Sequence, residues 1–219
     1  DILALPAGAT LLNTTIDGRR GIDTLDLSGY DSAGVFVRLE YGMAKAKSLV
    51  AEQPFTGLFG NYTLAGATTV SGSIRNVENL IGTAGNDFLF VHTMPGVAKY
   101  VDGGAGNDVV NSLGGNATLV GGTGSDWLVS YWENVVMIGG ADDGDLSTSD
   151  GLRDFYYLGS APTILDFEVG TDQLLVELSS EQPASSVYAP GAAVWVAEGT
   201  GSALYVNGVR EVTLANVDL

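Results

Sequence analysis

Cysteine is missing from the 219 residues, histidine occurs once (His92) and proline only six times. Without cysteine there is neither a disulfide framework nor a thiolate metal site, which fits an exported bacterial protein made without oxidative folding. A single histidine excludes the paired-histidine motif of a zinc protease. No G-x-S-x-G elbow occurs, so the usual lipase signature is missing too. Nor is there a run of about 18 apolar residues, so no membrane span is expected. Basic residues are scarce, 9 against 26 acidic ones, for a net charge of −17. Such a surface repels nucleic acid and anionic lipid and suits a hard cation, although simple solubility would also account for it.

What the chain does have is glycine, 31 residues without a G-X-Y period, beside 45% hydrophobic residues. The composition is that of a folded, turn-dense, all-β chain. Internal repeats give the order of those turns. Gly103-Gly104-Ala105-Gly106-Asn107-Asp108 returns 18 residues later as Gly121-Gly122-Thr123-Gly124-Ser125-Asp126. A near-copy, Gly82-Thr83-Ala84-Gly85-Asn86-Asp87, lies 21 residues earlier, and Gly139-Gly140-Ala141 begins a copy that then degrades. Val101, Val110, Leu119, Leu128, Met137 and Leu146 keep a nine-residue beat throughout. Each unit reads as a six-residue turn plus a three-residue strand, and two units make one coil of 18 residues. Stacked coils would lay parallel strands over one another and close an apolar ladder between two sheets. A calcium-free solenoid would need the glycines as well, but its turns would accept Asn or Ser where Asp stands.

The pattern G-G-x-G-x-D-x-U-x, with U a large aliphatic residue, resembles the RTX (repeat-in-toxin, haemolysin-type) calcium-binding family. The resemblance implies a parallel β-roll with strand-rich N- and C-terminal caps, and calcium ions held between stacked turns. Carried over by position, a first site takes Thr83, Gly85 and Asp87 with Gly103, Ala105 and Asp108. A second takes Gly104, Gly106 and Asp108 with Gly121, Thr123 and Asp126. A third takes Gly122, Gly124 and Asp126 with Gly139 and Ala141, but Gly144 stands where the sixth-place Asp belongs. About two or three ions are therefore expected. Turns Ser112–Ala117 and Ser130–Val135 lack the pattern, so one edge of the roll is expected to be metallated and the other not. Asp143, Asp145, Ser147, Ser149, Gly151 and Asp154 fall at EF-hand loop positions, but Thr148 replaces the Gly and an acidic solvated turn is the plainer reading.

Residues 1–80 read as degenerate coils and an N-terminal cap, with a surface excursion over roughly 41–73. Gly18-Arg19-Arg20-Gly21-Ile22-Asp23 is a weak further repeat, so Asp23 is a minor cation candidate. The roll is expected over 81–148 and a C-terminal cap over 149–219, with antiparallel strands at Leu174–Leu178, Ala193–Val196, Ala203–Val206 and Val209–Leu214 and a hairpin turn at Asn207-Gly208. Residues 154–172 resemble the closing segment of RTX proteins, whose C-terminal region also carries the type I secretion signal. Since the chain opens at Asp1 without Met or a leader, it is expected to be a fragment or to use such a signal-less export route. No catalytic residues are expected. Trp127, Trp132 and Trp195 suit packing better than sugar stacking. The expectation is a secreted or cell-surface calcium module that folds outside the cell and stabilises or helps export a larger polypeptide. The alternatives are a surface-layer or adhesive domain, with a glycan or its own copies as partner, and an accessory module of a protease, lipase or alginate epimerase.

Overall fold

The computed structural model describes residues 1–5, 12–30, 34–39, 54–57, 60–63, 71–91, 98–140, 151–159, 161–176, 193–206, 209–215 and 217. Among the described residues every regular element is a strand. In chain order they are β1 (Ile2–Ala4), β2 (Leu12–Asp17), β3 (Thr24–Asp26), β4 (Phe36–Leu39), β5 (Pro54–Gly57), β6 (Gly60–Thr63) and β7 (Ser71–Arg75). Then follow β8 (Asn79–Ile81), β9 (Phe88–Val91), β10 (Lys99–Ala105), β11 (Val109–Ser112), β12 (Ala117–Thr123), β13 (Trp127–Ser130) and β14 (Val135–Ile138). The last are β15 (Phe155–Leu158), β16 (Thr163–Ile164), β17 (Gln173–Val176), β18 (Ala193–Glu198), β19 (Gly201–Val206) and β20 (Val209–Leu214).

Strands alternate between two sheets, which makes the chain a parallel β-solenoid. One sheet runs β1-β3-β8-β10-β12-β14-β16-β20-β19-β18 and the other β17-β15-β13-β11-β9-β4. The register carries the nine-residue beat directly into space. Leu80, Val101, Leu119, Met137 and Ile164 pair in line on one sheet. Val37, Leu89, Val110, Leu128, Tyr156 and Leu174 pair in line on the other. These side chains meet in one core, where Leu80, Val101, Val110, Leu119, Leu128 and Met137 are fully buried. Each such burial contributes about 1.5–3 kcal/mol, and a rung is covered only when its neighbours are stacked on it.

The parallel roll runs beyond the segment expected from the repeats. β15 pairs in parallel with β13, and β17 with β15. The antiparallel expectation for Leu174–Leu178 is thereby corrected at β17, because the Asp-x-apolar-x pattern resumes at Asp172. Antiparallel pairing begins later, where β18, β19 and β20 form a meander and β20 joins the roll in parallel with β16. Towards the N-terminus, β1, β3 and β8 continue one sheet and β4 the other, while β2 pairs with β7 and β5 with β6 apart from it. Leu146, His92, the EF-hand-like stretch before Gly151 and the Asn207-Gly208 turn lie outside the described residues.

Candidate metal centre

The glycine turns lie along one edge, where chain leaves the ten-stranded sheet for the six-stranded one. Their first halves differ from the expected turn. β10 and β12 run on through the glycines, pairing Gly104 with Gly122 and Ala105 with Thr123. The extension keeps successive turns stacked in register, backbone on backbone, and that contact is what demands glycine. Gly104 (φ 98°), Gly106 (114°), Gly122 (107°) and Gly124 (139°) are all left-handed. At Gly103 a β-carbon would collide with the Gly121 carbonyl and the Asp108 carboxylate. At Gly121 it would collide with the Gly139 carbonyl and the Asp126 carboxylate. The absent side chains thus leave a cradle into which a carbonyl of one coil and a carboxylate of the neighbouring one both project.

The aspartates form a buried ladder. The Val35 N–H donates to the Asp87 carboxylate (2.6 Å), that of Asp87 to Asp108 (2.6 Å) and that of Asp108 to Asp126 (2.7 Å). The N–H of Asp126 continues to Asp154 (2.8 Å), and that of Asp154 to Asp172 (3.0 Å). Asp87, Asp108 and Asp126 are wholly shielded from solvent. One oxygen of Asp108 accepts the Asp87 N–H; the other, Oδ2, is buried in the Gly103 cradle with no hydrogen-bond partner. A buried, unsatisfied carboxylate oxygen is costly, and a cation beside it would remove the penalty. Burial, then the charges of Asp126 and Asp87, push the Asp108 carboxyl well up from its ordinary value. Burial also raises Asp87 to about 6, against the hydrogen bonds from Thr83 and Val35.

The residues assigned to three sites fall together unevenly. Those of the second, Gly104, Gly106, Asp108, Gly121, Thr123 and Asp126, occupy two stacked turns of like conformation. In the first, Thr83 and Gly85 are not among the left-handed residues, and the Thr83 hydroxyl (2.9 Å) and N–H hold Asp87 from within its own turn. Its remaining members, Gly103, Ala105 and Asp108, lie on the next turn of the stack. In the third, Gly122, Gly124, Asp126 and Gly139 are aligned, while Ala141 lies outside the described residues. Its missing sixth-place aspartate is supplied by Asp154, which accepts the Asp126 N–H and occupies the Gly139 cradle together with the Tyr156 hydroxyl. Asp166 and Asp172 were not among the expected ligands, and Asp154 was considered only as the last place of an EF-hand-like loop read as an acidic solvated turn, whereas it is buried. Asp166 accepts the N–H groups of Gly139 (2.9 Å) and Gly140 (2.8 Å) and the Tyr156 hydroxyl (3.1 Å), closing the stack of glycine turns.

The donor set is all oxygen, from carbonyls and carboxylates, which is what calcium takes. Among the described residues no three His, Cys, Asp or Glu side chains converge as a cage, so an ion here must draw on backbone carbonyls. The carbonyls of Thr83, Thr123 and Gly139 each accept an N–H across coils and keep a second lone pair. These residues fit a hard divalent cation. The opposite edge is built otherwise: Ser112 and Ser130 hydroxyls donate to the Gly114 and Trp132 carbonyls, and Asn116 (φ 59°) and Asn134 (φ 58°) supply the left-handed residue.

No family model and no curated protein matches this chain. Among solved structures it is similar to the extracellular lipase LipA of Serratia marcescens at 16% identity and a TM-score of 0.28. That match covers 94% of this chain and 32% of the enzyme, so the chain spans about a third of the lipase's length. No helix among the described residues is long and apolar enough to cross a membrane.

Proposed function

We propose that this chain is a calcium-binding β-roll module of RTX type from a secreted bacterial protein, folding on calcium outside the cell and stabilising a larger polypeptide. The observation that carries the reading is the Asp108 carboxylate, buried with one oxygen unsatisfied in a cradle lined by the Gly121 carbonyl. The turns Gly103–Asp108 and Gly121–Asp126 would hold one ion, and Gly122, Gly124, Asp126, Gly139 and Asp154 another. In the calcium-free chain neighbouring aspartates repel, so metal binding and folding are coupled. With affinities of about 10⁻⁴ to 10⁻³ M, usual for extracellular modules, the chain would remain loose in a calcium-poor cytoplasm and tighten after export. Type I export is part of this proposal and draws on the resemblance of residues 154–172 to the closing segment of such proteins. Calorimetric titration of the chelator-treated protein tests it, with calcium binding and magnesium not. Uptake of neither ion would overturn the reading.

A further inference from the structure

The two large sheets end in four strands, β1 and β18 on one and β4 and β17 on the other. Three of them are poor templates for further pairing. β1 has three residues, β4 has four and contains Arg38, and β17 has four set between Asp172 and Glu177. β18 differs. It runs six residues, is uncharged from Ala193 through Ala197, contains no proline, and keeps an unbroken register with β19, its one strand partner among the described residues. Charge, proline, a bulge or short length protects most edges, and the centre of β18 has none of these. Trp195 and Val196 project to opposite faces and are 41% and 40% exposed, so neither face of the strand's centre is covered.

Hairpin geometry says which backbone groups are free. The two-residue loop Gly199-Thr200 makes Glu198 and Gly201 the hydrogen-bonded pair that flanks it. Pairs alternate along an antiparallel ladder, so Val194 and Val196 bond to β19, while Ala193, Trp195 and Ala197 turn their N–H and C=O to the open edge. An antiparallel copy of the same strand fits that row. With a twofold axis through the Trp195 pair, Ala193 of each chain meets Ala197 of the other, and every outward-turned group of the three residues is answered. The same axis sets the two Glu198 residues about 20 Å apart along the strands, beyond the screening length of physiological salt. Charge also favours this surface for a self-contact. The chain carries −17, but residues 193–215 hold only Glu198, Arg210 and Glu211, a net of −1.

We infer that β18 is the dimerisation edge of this protein, pairing antiparallel with β18 of a second copy and joining two ten-stranded sheets into one. The contact is backbone to backbone with Trp195 beside its counterpart, a small interface that makes a concentration-dependent dimer and not an obligate one. Twofold pairing occupies the edge of both copies, so growth through β18 stops at two chains. The inference does not depend on which ion the glycine turns hold.

Sedimentation velocity of the calcium-saturated chain over a range of concentrations tests it. The mass should rise with concentration toward that of two chains and no further. Ala197→Pro removes an edge-facing N–H and no bond to β19, and should sediment as a monomer throughout with the parent's circular dichroism. A covalent trap reads the register independently, since the chain has no cysteine of its own. Trp195→Cys puts two thiols on the axis at a hydrogen-bonded pair, within disulfide reach, so mild oxidation should link the dimer. Thr200→Cys, five residues from the axis, should not link. A parent that stays monomeric at every concentration would overturn the inference, and so would linkage at Trp195→Cys no greater than at Thr200→Cys.

Discussion

At Asp108 one carboxylate oxygen accepts the Asp87 N–H and the other is enclosed without a partner, between two further aspartates of the same ladder. Replacing it should therefore have opposite effects with and without metal. Asp108→Asn keeps an oxygen for the Asp87 N–H and removes a buried charge. In chelator the variant should be no less stable than the parent, while its calcium uptake falls. Thermal melts and calorimetry read the two arms, and unchanged calcium binding would contradict the role given to this residue. The calcium-free chain should also respond to acid. Burial raises Asp87 and Asp172 from 3.8 to about 6, and Asp108 also shifts up. A carboxyl raised on folding binds more protons in the folded chain, so its contribution is complete below about pH 4 and lost as pH rises through about 6. Circular dichroism in chelator should show greater β signal and a higher melting temperature at pH 4.5 than at pH 7. A melting temperature that rises with pH would contradict this.

Strands and turns divide the work between packing and close approach. Leu128 is a fully buried rung with Val110 on one side and Tyr156 on the other. Leu128→Ala should cost about 2–5 kcal/mol in urea unfolding of the calcium-loaded chain. Gly122→Ala puts a β-carbon at φ 107° and into the Gly104 carbonyl. It should cost about 1–3 kcal/mol from backbone strain alone and weaken calcium binding besides. Gly151→Ala meets nothing within 4 Å and carries only the φ penalty, so it is the matched control. If the two glycine variants bind calcium alike, close stacking of the turns is not what shapes the site.

Much of this was legible in the residues. The pleat converts a nine-residue beat into inward-facing positions, so Val101, Val110, Leu119, Leu128 and Met137 could be placed in the core directly. The sixth-place aspartates Asp87, Asp108 and Asp126 could likewise be placed on one edge. Asp154 and Asp172 could not. Asp154 stands 28 residues after Asp126 instead of 18 with its one glycine, Gly151, out of place, and Asp172 keeps only the fourth-place glycine, Gly170, so little besides the shared Asp-x-apolar-x pattern connects them to the ladder. Asp166 was hidden for another reason: its partners, Gly139 and Gly140, are 27 and 26 residues away, and no local pattern announces a side chain that caps backbone.

In the molecule as a whole, a solenoid of stacked coils carries a net charge of −17 and gathers part of it into a buried ladder. Each coil contacts chiefly its neighbours, so stability is propagated along the stack, and a cation bound between turns would tie consecutive coils together. Calcium would neutralise the ladder and strengthen the coil-to-coil contacts in the same step. The most direct test is a titration of the chelator-treated chain with calcium, followed by far-UV circular dichroism with bound ions counted in parallel and magnesium as control. The expected result is a gain of β signal specific to calcium that saturates with about two or three ions bound. A fully formed β spectrum in chelator, unchanged by calcium and with no ion taken up, would contradict both the sites and their coupling to folding.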